Sequence, residues 1–168
     1  MAIRDEIGAD HAAISALTER AFAPMPFSNG TEVQAIKTMR EDGDLLLSLV
    51  MVQDDEVIGH IAFSPVTLGD RASGSDGWIG LGPVSIAPER QREGWGNRLV
   101  SDGLARMRQH GKAGCVLIGN PAYYSRFGFR NDGRITYRGL SAELVQWLSF
   151  GDAKPEGELV FCRGLEEA

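Results

Sequence analysis

The feature that most constrains the fold is an apolar run that leads through two closely spaced glycines into a helix. The run is "WIGLGPVSIAP", the glycines are Gly94 and Gly96, and the helix is amphipathic and ends near Gly111. A short, wholly apolar run, "AGCVLIG", follows it. A helix between two strands joins parallel neighbours, and an all-apolar strand is typical of a sheet covered on both faces. The sequence therefore predicts a parallel strand pair with a glycine loop at the start of its crossover helix.

The glycine loop is expected to bind a phosphate. Backbone N–H groups at a helix start attract anions, and glycine lets the backbone approach a ligand closely. Arg90, Arg92 and Arg98 flank the loop, although surface arginines near a turn are often only solvated. The chain of 168 residues has a formal net charge of -6, which argues against a general nucleic-acid binder. An anion would thus be bound by backbone N–H groups that point at it and by nearby arginines, rather than attracted by the charge of the whole chain.

Three phosphate-binding patterns are candidates for this loop. A Walker loop needs G-x-x-x-x-G-K-[ST], which does not occur in the sequence. A dinucleotide fingerprint needs a third glycine where the chain has Leu99. The pattern [QR]-x-x-G-x-[GA] is matched in full by Gln91 to Gly96.

Two stretches carry a family resemblance. "LGPVSIAPERQREGWGNRLV" resembles the central strand–loop–helix motif of the GCN5-related N-acetyltransferase (GNAT) superfamily, and "NPAYYSRFGF" is similar to its later motif. Together with "IGHIAFSPV", they resemble a bacterial subgroup of predicted acetyltransferases. The resemblance covers most of the chain and implies one N-acetyltransferase domain over residues 1–168. It also implies an α+β fold with α/β/α layers, whose mixed sheet of six or seven strands contains a splayed parallel pair.

The resemblance implies acetyl-coenzyme A as the acyl donor, with no metal. Its pyrophosphate would be bound by main-chain N–H groups between Arg92 and Asn97, and its pantetheine arm would lie between the strand containing Pro83 and "CVLIG". Pro83 lacks an N–H, so it independently indicates a bulged or splayed strand; a kinked core strand is the alternative. The residues expected to bind the donor are Val84, Ser85, Ile86, Gln91, Arg92, Glu93, Gly94, Trp95, Gly96, Asn97 and Asn120.

Two residues are candidates for proton transfer. The family places a tyrosine four residues before the glycine of Gly-Phe, which is Tyr124 here and not Tyr123. Its phenol would protonate the departing thiolate, and a packing role is the alternative. His60, in the strand-like "VIGHIAF", can relay a proton near neutral pH, although a strand histidine is often only hydrogen-bonded. The central strand has no carboxylate, so the general base stays open.

The expected activity is acetyl transfer to a primary amine of a small molecule or a protein by direct attack on the thioester. Cys115 has no activating neighbour in the sequence, which argues against an acetyl-enzyme. A non-catalytic acyl-CoA-binding or regulatory module is the alternative. The acceptor is expected between residues 22–31 and the segment after Phe129. No nucleic-acid or membrane partner is expected, and the protein would be a monomer or homodimer.

The cysteines and the N-terminus favour a cytoplasmic protein. Cys115 and Cys162 lie far apart in apolar runs and are expected to be reduced core residues. The start, "MAIRDEIGADH", is charged at once and lacks the apolar region of a secretory signal. No apolar run approaches the roughly 18 residues of a membrane span. The three histidines are scattered, and no metal site is expected.

The remaining elements follow from periodicity and turn signals. One helix is predicted within residues 6–22, with Asp10 as its N-cap, and a second over 31–41, with Thr31 as its N-cap. A hairpin is predicted with arms at 45–52 and 57–68, followed by a loop at "RASGSDG". In the last third, "ITYRGL" and "GELVFCRGL" are predicted strands, and "SAELVQWLSF" fits either a short helix or an extended segment.

Overall fold

The computed structural model describes residues 1–26, 28–69 and 77–167, so most of the predicted loop "RASGSDG" lies outside the described residues. The strands are β1 (Ala2–Asp5), β2 (Leu47–Gln53), β3 (Glu56–Leu68), β4 (Trp78–Ile86), β5 (Gly114–Ile118), β6 (Ile135–Thr136), β7 (Val145–Ser149) and β8 (Gly157–Phe161). The α-helices are α1 (His11–Phe22), α2 (Glu32–Asp42), α3 (Trp95–Gln109), α4 (Pro121–Tyr124) and α5 (Arg163–Glu166).

The strands form one mixed sheet, as predicted. Its main path runs β1-β2-β3-β4-β5-β7, while β8 pairs with the end of β3 and β6 pairs with β8. The β4–β5 and β6–β8 pairs are parallel and the other pairs are antiparallel. The described residues contain eight strands, so the expected count of six or seven was too low. The strand that was not predicted is β1, whose four residues "AIRD" are few and end with two charged side chains.

The helices cover both faces of the sheet, which gives the predicted α/β/α layers. Successive strand residues point to opposite faces. Phe63 of β3 packs with Leu99 of α3 on one face, whereas its neighbour Ala62 packs with Ile14 of α1 and Met39 of α2 on the other. The sheet therefore has an apolar core on each side.

The predicted helix ends agree with the structure to within a few residues. Asp10 is the N-cap of α1, but its carboxylate accepts hydrogen bonds from Arg4 and from the N–H of Ile7 rather than from the helix itself. Thr31 is the N-cap of α2, and Gly43 ends it with φ 75°, where a side chain would be strained. None of the helices in the described ranges is long and apolar enough to cross a membrane.

The structure decides between the alternatives that the sequence left open for the last third of the chain. Within "SAELVQWLSF", a single 3₁₀ turn at Ala142–Leu144 leads into β7, so the segment is mainly extended. The predicted closing strand ends at Phe161, and α5 follows it. Cys162, the N-cap of α5, is only half-buried, which corrects the expectation of a core residue. Cys115 is fully buried, and both cysteines are free thiols.

The parallel pair at the centre of the sheet is splayed. β4 and β5 are paired only at their beginnings, from Trp78 opposite Gly114 to Gly80 opposite Val116. The rest of β4 continues beside β3 with a register shift between Ile61 and Phe63. Near that shift, the Gly82–Pro83 peptide bond is cis and Gly82 has φ 137°. The predicted bulge at Pro83 is therefore present, and a gap opens between the carboxyl ends of the two central strands.

Candidate active site

The gap leaves one edge of β4 without a strand partner. The N–H of Ala87 donates to the carbonyl of Ile58 on β3 at 2.8 Å. Because successive residues of a strand direct their polar groups to alternate edges, the N–H groups of Ile86 and Val84 face the gap. The carbonyl of Ile86 has the same orientation, since it accepts a hydrogen bond at 2.9 Å from Gln91 Nε2, a group outside β3. Ser85 instead directs its backbone towards β3, so of the three strand residues predicted to bind the donor only two face the gap.

The glycine loop joins the end of β4 to α3 and presents backbone amides. Arg92 and Gly94 both have positive φ, 67° and 89°, and Gly94 is the N-cap of α3. The first intrahelical bond runs from the N–H of Arg98 to the carbonyl of Gly94. The N–H groups from Gly94 to Asn97 therefore have no acceptor within the helix, at the end where its dipole is positive.

The loop's side chains bond to neighbouring side chains and so stabilise the loop, rather than extending towards a ligand. Arg90 forms an ion pair with Glu93 at 3.2 Å and also bonds Gln53. Glu93 accepts a further bond from Trp95 Nε1 at 3.0 Å, and these bonds lower the pKa of its carboxyl. Trp95 is partly buried and packs against the core. The cationic charge of Arg90 is thus already compensated within the loop, and the backbone amides are the groups left to bind an anion.

Tyr124 lies against the end of β5, beside the gap. Asn120 caps α4, accepting from the N–H of Ala122 at 2.9 Å, and this cap begins the turn that carries the tyrosine. The ring of Tyr124 packs so closely on Gly119 that a Cβ built there would stand 2.8 Å from it. Burial is the main cause that raises the pKa of Tyr124 to about 12. Its hydroxyl therefore remains protonated at neutral pH and is available as a donor.

The gap opens into a cleft of about 560 Å³ whose lining is mainly apolar. Val84, Asn120, Tyr123 and Tyr124 line it, so the structure brings the strand edge and the tyrosine into one cavity. Its apolar wall comes from α1, the following loop, the central strands, β8 and α5, and consists of Phe22, Met25, Leu81, Ile118, Phe161 and Leu165.

The cleft also contains a carboxylate that the sequence analysis missed. Glu32, in the first turn of α2, is the one charged residue among the described residues that line the cleft. Its local signal was weak, because an acidic residue in a first helical turn is common for reasons of the helix dipole alone. The acceptor segments expected from the sequence also contribute, through Phe22 and Met25 and, after Phe129, through Tyr137. Phe27, within the first segment, lies outside the described residues.

The structure does not place His60 in this cleft. It has no exposed surface, lies opposite Ser85 in the β3–β4 register, and its Nε2 is 2.8 Å from Ser48 Oγ. Burial is the main cause that lowers the pKa of His60 to about 4, and Arg40 adds to it, although Glu6 opposes it. The neutral, enclosed imidazole is not among the described residues that line the cleft, so the geometry does not support the proton relay expected of His60.

A model of the acetyltransferase (GNAT) family matches residues 14–129, which include the strand edge, the glycine loop and Tyr124. The chain belongs to the GNAT family of N-acetyltransferases. Within the described part of this acetyltransferase, no group of three or more His, Cys, Asp or Glu side chains is arranged to hold a metal ion.

Two solved structures resemble this acetyltransferase over nearly its whole length. A GNAT family acetyltransferase from Brucella melitensis in complex with acetyl-CoA is 41% identical with a TM-score of 0.86, and the match covers 98% of this chain and 97% of that one. YhbS from Escherichia coli, in complex with CoA, is 30% identical with a TM-score of 0.87, covering 98% and 91%. The "Uncharacterized N-acetyltransferase YhbS" of E. coli K12 is 39% identical over 131 residues. This match covers 77% of this chain and 73% of the relative.

Proposed function

We propose that this acetyltransferase moves the acetyl group of acetyl-CoA to a primary amine, by direct attack of the amine on the thioester. The observation that carries the proposal is that an unpaired strand edge and a protonated tyrosine line one cleft, and that the same strand leads through the glycine loop to the free amides of a helix start. Two similar proteins have structures in complex with acetyl-CoA or CoA, which supports the same donor here.

The residues present fit the donor at two places. Val84 and Ile86 direct N–H groups into the gap, where a pantetheine arm with its amides can pair with them as a strand would. The amides from Gly94 to Asn97 suit a pyrophosphate, and Gly96 lets it approach. Gln91 ties the loop to the strand by its bond to Ile86, so the two binding regions are held in a fixed relation.

Two groups of the chain act on the reacting atoms in this proposal. The donor supplies a thioester, whose carbonyl carbon is open to a neutral amine. The free N–H groups of β4 stabilise the negative charge that develops on the carbonyl oxygen. Tyr124 donates its hydroxyl proton to the sulfur as the carbon–sulfur bond breaks. The burial that raises the pKa of Tyr124 also disfavours a free thiolate in the same cleft. The pKa of the thiol that takes the proton therefore rises together with that of the phenol that gives it.

A covalent acetyl-enzyme does not fit the cysteines. Burial alone raises the pKa of the Cys115 thiol far above its usual range, so it is not a thiolate at neutral pH. Cys162 caps α5, and it is not among the described residues that line the cleft. Both being free thiols, they support a reducing compartment, and we propose the cytoplasm.

The proposal is tested by measuring free-thiol release from acetyl-CoA across a panel of primary amines, with product identified by mass spectrometry. Thiol release that depends on one class of amine, at a rate well above that of hydrolysis, is the expected result. Tight binding of CoA without amine-dependent release from any member would instead favour a non-catalytic acyl-CoA-binding module. Loss of both binding and release would contradict the proposed donor.

A further inference from the structure

Glu32 is held at the wall of the cleft by its own segment. It lies in the first turn of α2, and its Oε1 accepts a hydrogen bond from Ser28 Oγ at 2.8 Å. The side chain is half-buried, and the Oε1 bond comes from a neutral hydroxyl. No cationic side chain of the described residues pairs with Glu32. Its negative charge is therefore uncompensated by the described part of the chain.

The surroundings of Glu32 favour a cation of a particular kind. The described residues that line the cleft are otherwise uncharged, and most are apolar or aromatic. A carboxylate set in an apolar wall gains most from a partner that brings one positive charge, since an unpaired charge in such a site is costly. The same lining offers no described cationic side chain to a ligand carboxylate. An amino acid bound here would therefore place its carboxylate where no described cationic side chain can pair with it.

We propose that Glu32 binds the ammonium group of the acceptor, and that the acceptor is a primary amine on an apolar stem with no carboxylate beside the amine. This inference rests on the proposed function, because it assigns the acceptor of the same cleft. After the ammonium releases one proton to solvent, the neutral nitrogen forms the new carbon–nitrogen bond while the carbon–sulfur bond breaks. The bonded nitrogen releases its second proton to solvent to give the amide, and the sulfur takes the proton of Tyr124, which is restored from solvent.

The variant that tests this role is Glu32→Gln, which keeps the size of the side chain and its capacity to accept from Ser28. Glu41→Gln is the matched control, because Glu41 is an exposed glutamate on the same helix outside the cleft lining. Two pairs of probes differ only by a carboxylate: 2-phenylethylamine against phenylalanine, and pentylamine against norleucine. Binding to the CoA-loaded protein is measured by calorimetry, and KM and kcat are measured by thiol release.

The expected result is that at least one of the two amines binds the wild-type protein better than its carboxylated partner. Glu32→Gln should weaken that binding and raise KM for the amine by about 10- to 100-fold, the range of a charge-assisted hydrogen bond. It should leave KM for acetyl-CoA and the affinity for CoA unchanged, and Glu41→Gln should behave as the wild type.

Several results would overturn the inference. They are equal binding of an amine by the wild type and Glu32→Gln, a preference for both carboxylated probes, or binding of neither amine to the wild type. A loss of kcat in Glu32→Gln with KM unchanged would also overturn it, because that pattern belongs to a general base. If the amine binds through Glu32 but no thiol is released, the proposed function fails while the recognition role of Glu32 stands.

Discussion

The hydroxyl of Tyr123 lies directly over the glycine loop, so that a Cβ built at Gly96 would stand 3.2 Å from it. A second contact, at 3.7 Å, would be made with Ile86. Arg126 stacks on the Tyr123 ring and donates to Asn97 Oδ1 at 3.2 Å, so the segment after α4 packs against the start of α3. The space above the first amides of α3 is therefore limited, which makes Gly96 the sharpest probe of the proposed phosphate site.

Gly96→Glu should abolish tight binding of CoA. The new side chain would push against Tyr123 and place a negative charge beside the pyrophosphate, so we expect affinity to fall by about 100-fold or more. Gly8→Glu is the matched control, because Gly8 is exposed, has open space around its Cβ position and is not at a positive φ. The measurement is the rise in melting temperature on adding CoA. A folded Gly96→Glu protein that binds CoA as the wild type does would contradict the site.

The sequence predicted the splayed strand and the glycine loop far better than the wall of the cleft that contains Glu32. The glycine loop and the splay at Pro83 are local, since each depends on residues whose backbone properties are unusual wherever they occur. Glu32 reaches the cleft only because α2 packs beside the sheet, and no local pattern distinguishes it from an ordinary first-turn acid. The enclosure of His60 is equally invisible in the sequence, because strand alternation divides residues between two faces, but only the packed helices decide which face is enclosed.

His60 should make stability fall as the pH is lowered. Its pKa is about 4 in the folded protein and about 6.5 in the unfolded chain, so below pH 6.5 the unfolded chain binds a proton that the folded protein does not. The free energy of unfolding should therefore decrease between pH 6.5 and 4, by about 3 kcal/mol in full. The groups that face the imidazole, Glu6, Arg40 and Ser48, are unchanged in His60→Gln.

The measurement is urea unfolding of the wild type and His60→Gln at several pH values across that window. The wild type should lose more stability than the variant, and the difference isolates His60 from carboxylates that titrate in both. Identical pH dependence of the two proteins would show that the imidazole is protonated in the folded state. His60→Gln should also retain turnover once its stability is matched, since the side chain does not line the cleft.

The two cysteines should differ in reactivity towards a thiol reagent. Cys115 is fully buried with a raised thiol pKa, so it should react only after unfolding. Cys162 is half-buried at the start of α5 and should react slowly in the native protein. Counting modified thiols by mass spectrometry, with and without denaturant, checks both. Rapid native labelling of Cys115, or a disulfide between the two, would contradict this assignment.

Tyr124→Phe should lower kcat by about 10²- to 10⁴-fold, the usual contribution of a general acid. Phenylalanine keeps the ring contacts with Gly119, Phe127 and Phe129, so the folded structure and CoA affinity should change little. Because the pKa of Tyr124 is about 12, the wild type should show no loss of kcat from its ionisation below about pH 10.

Tyr123→Phe is the control for Tyr124→Phe, since it removes a hydroxyl from the neighbouring ring. That hydroxyl lies near Gly96, so any effect should be a change in CoA affinity of a few-fold at most, with kcat retained. Rates must be measured where chemistry limits turnover, and melting temperatures must be compared in parallel. Wild-type kcat in Tyr124→Phe would remove its hydroxyl from the mechanism. Equal losses of stability in both variants, with activity falling in proportion, would instead assign Tyr124 a packing role.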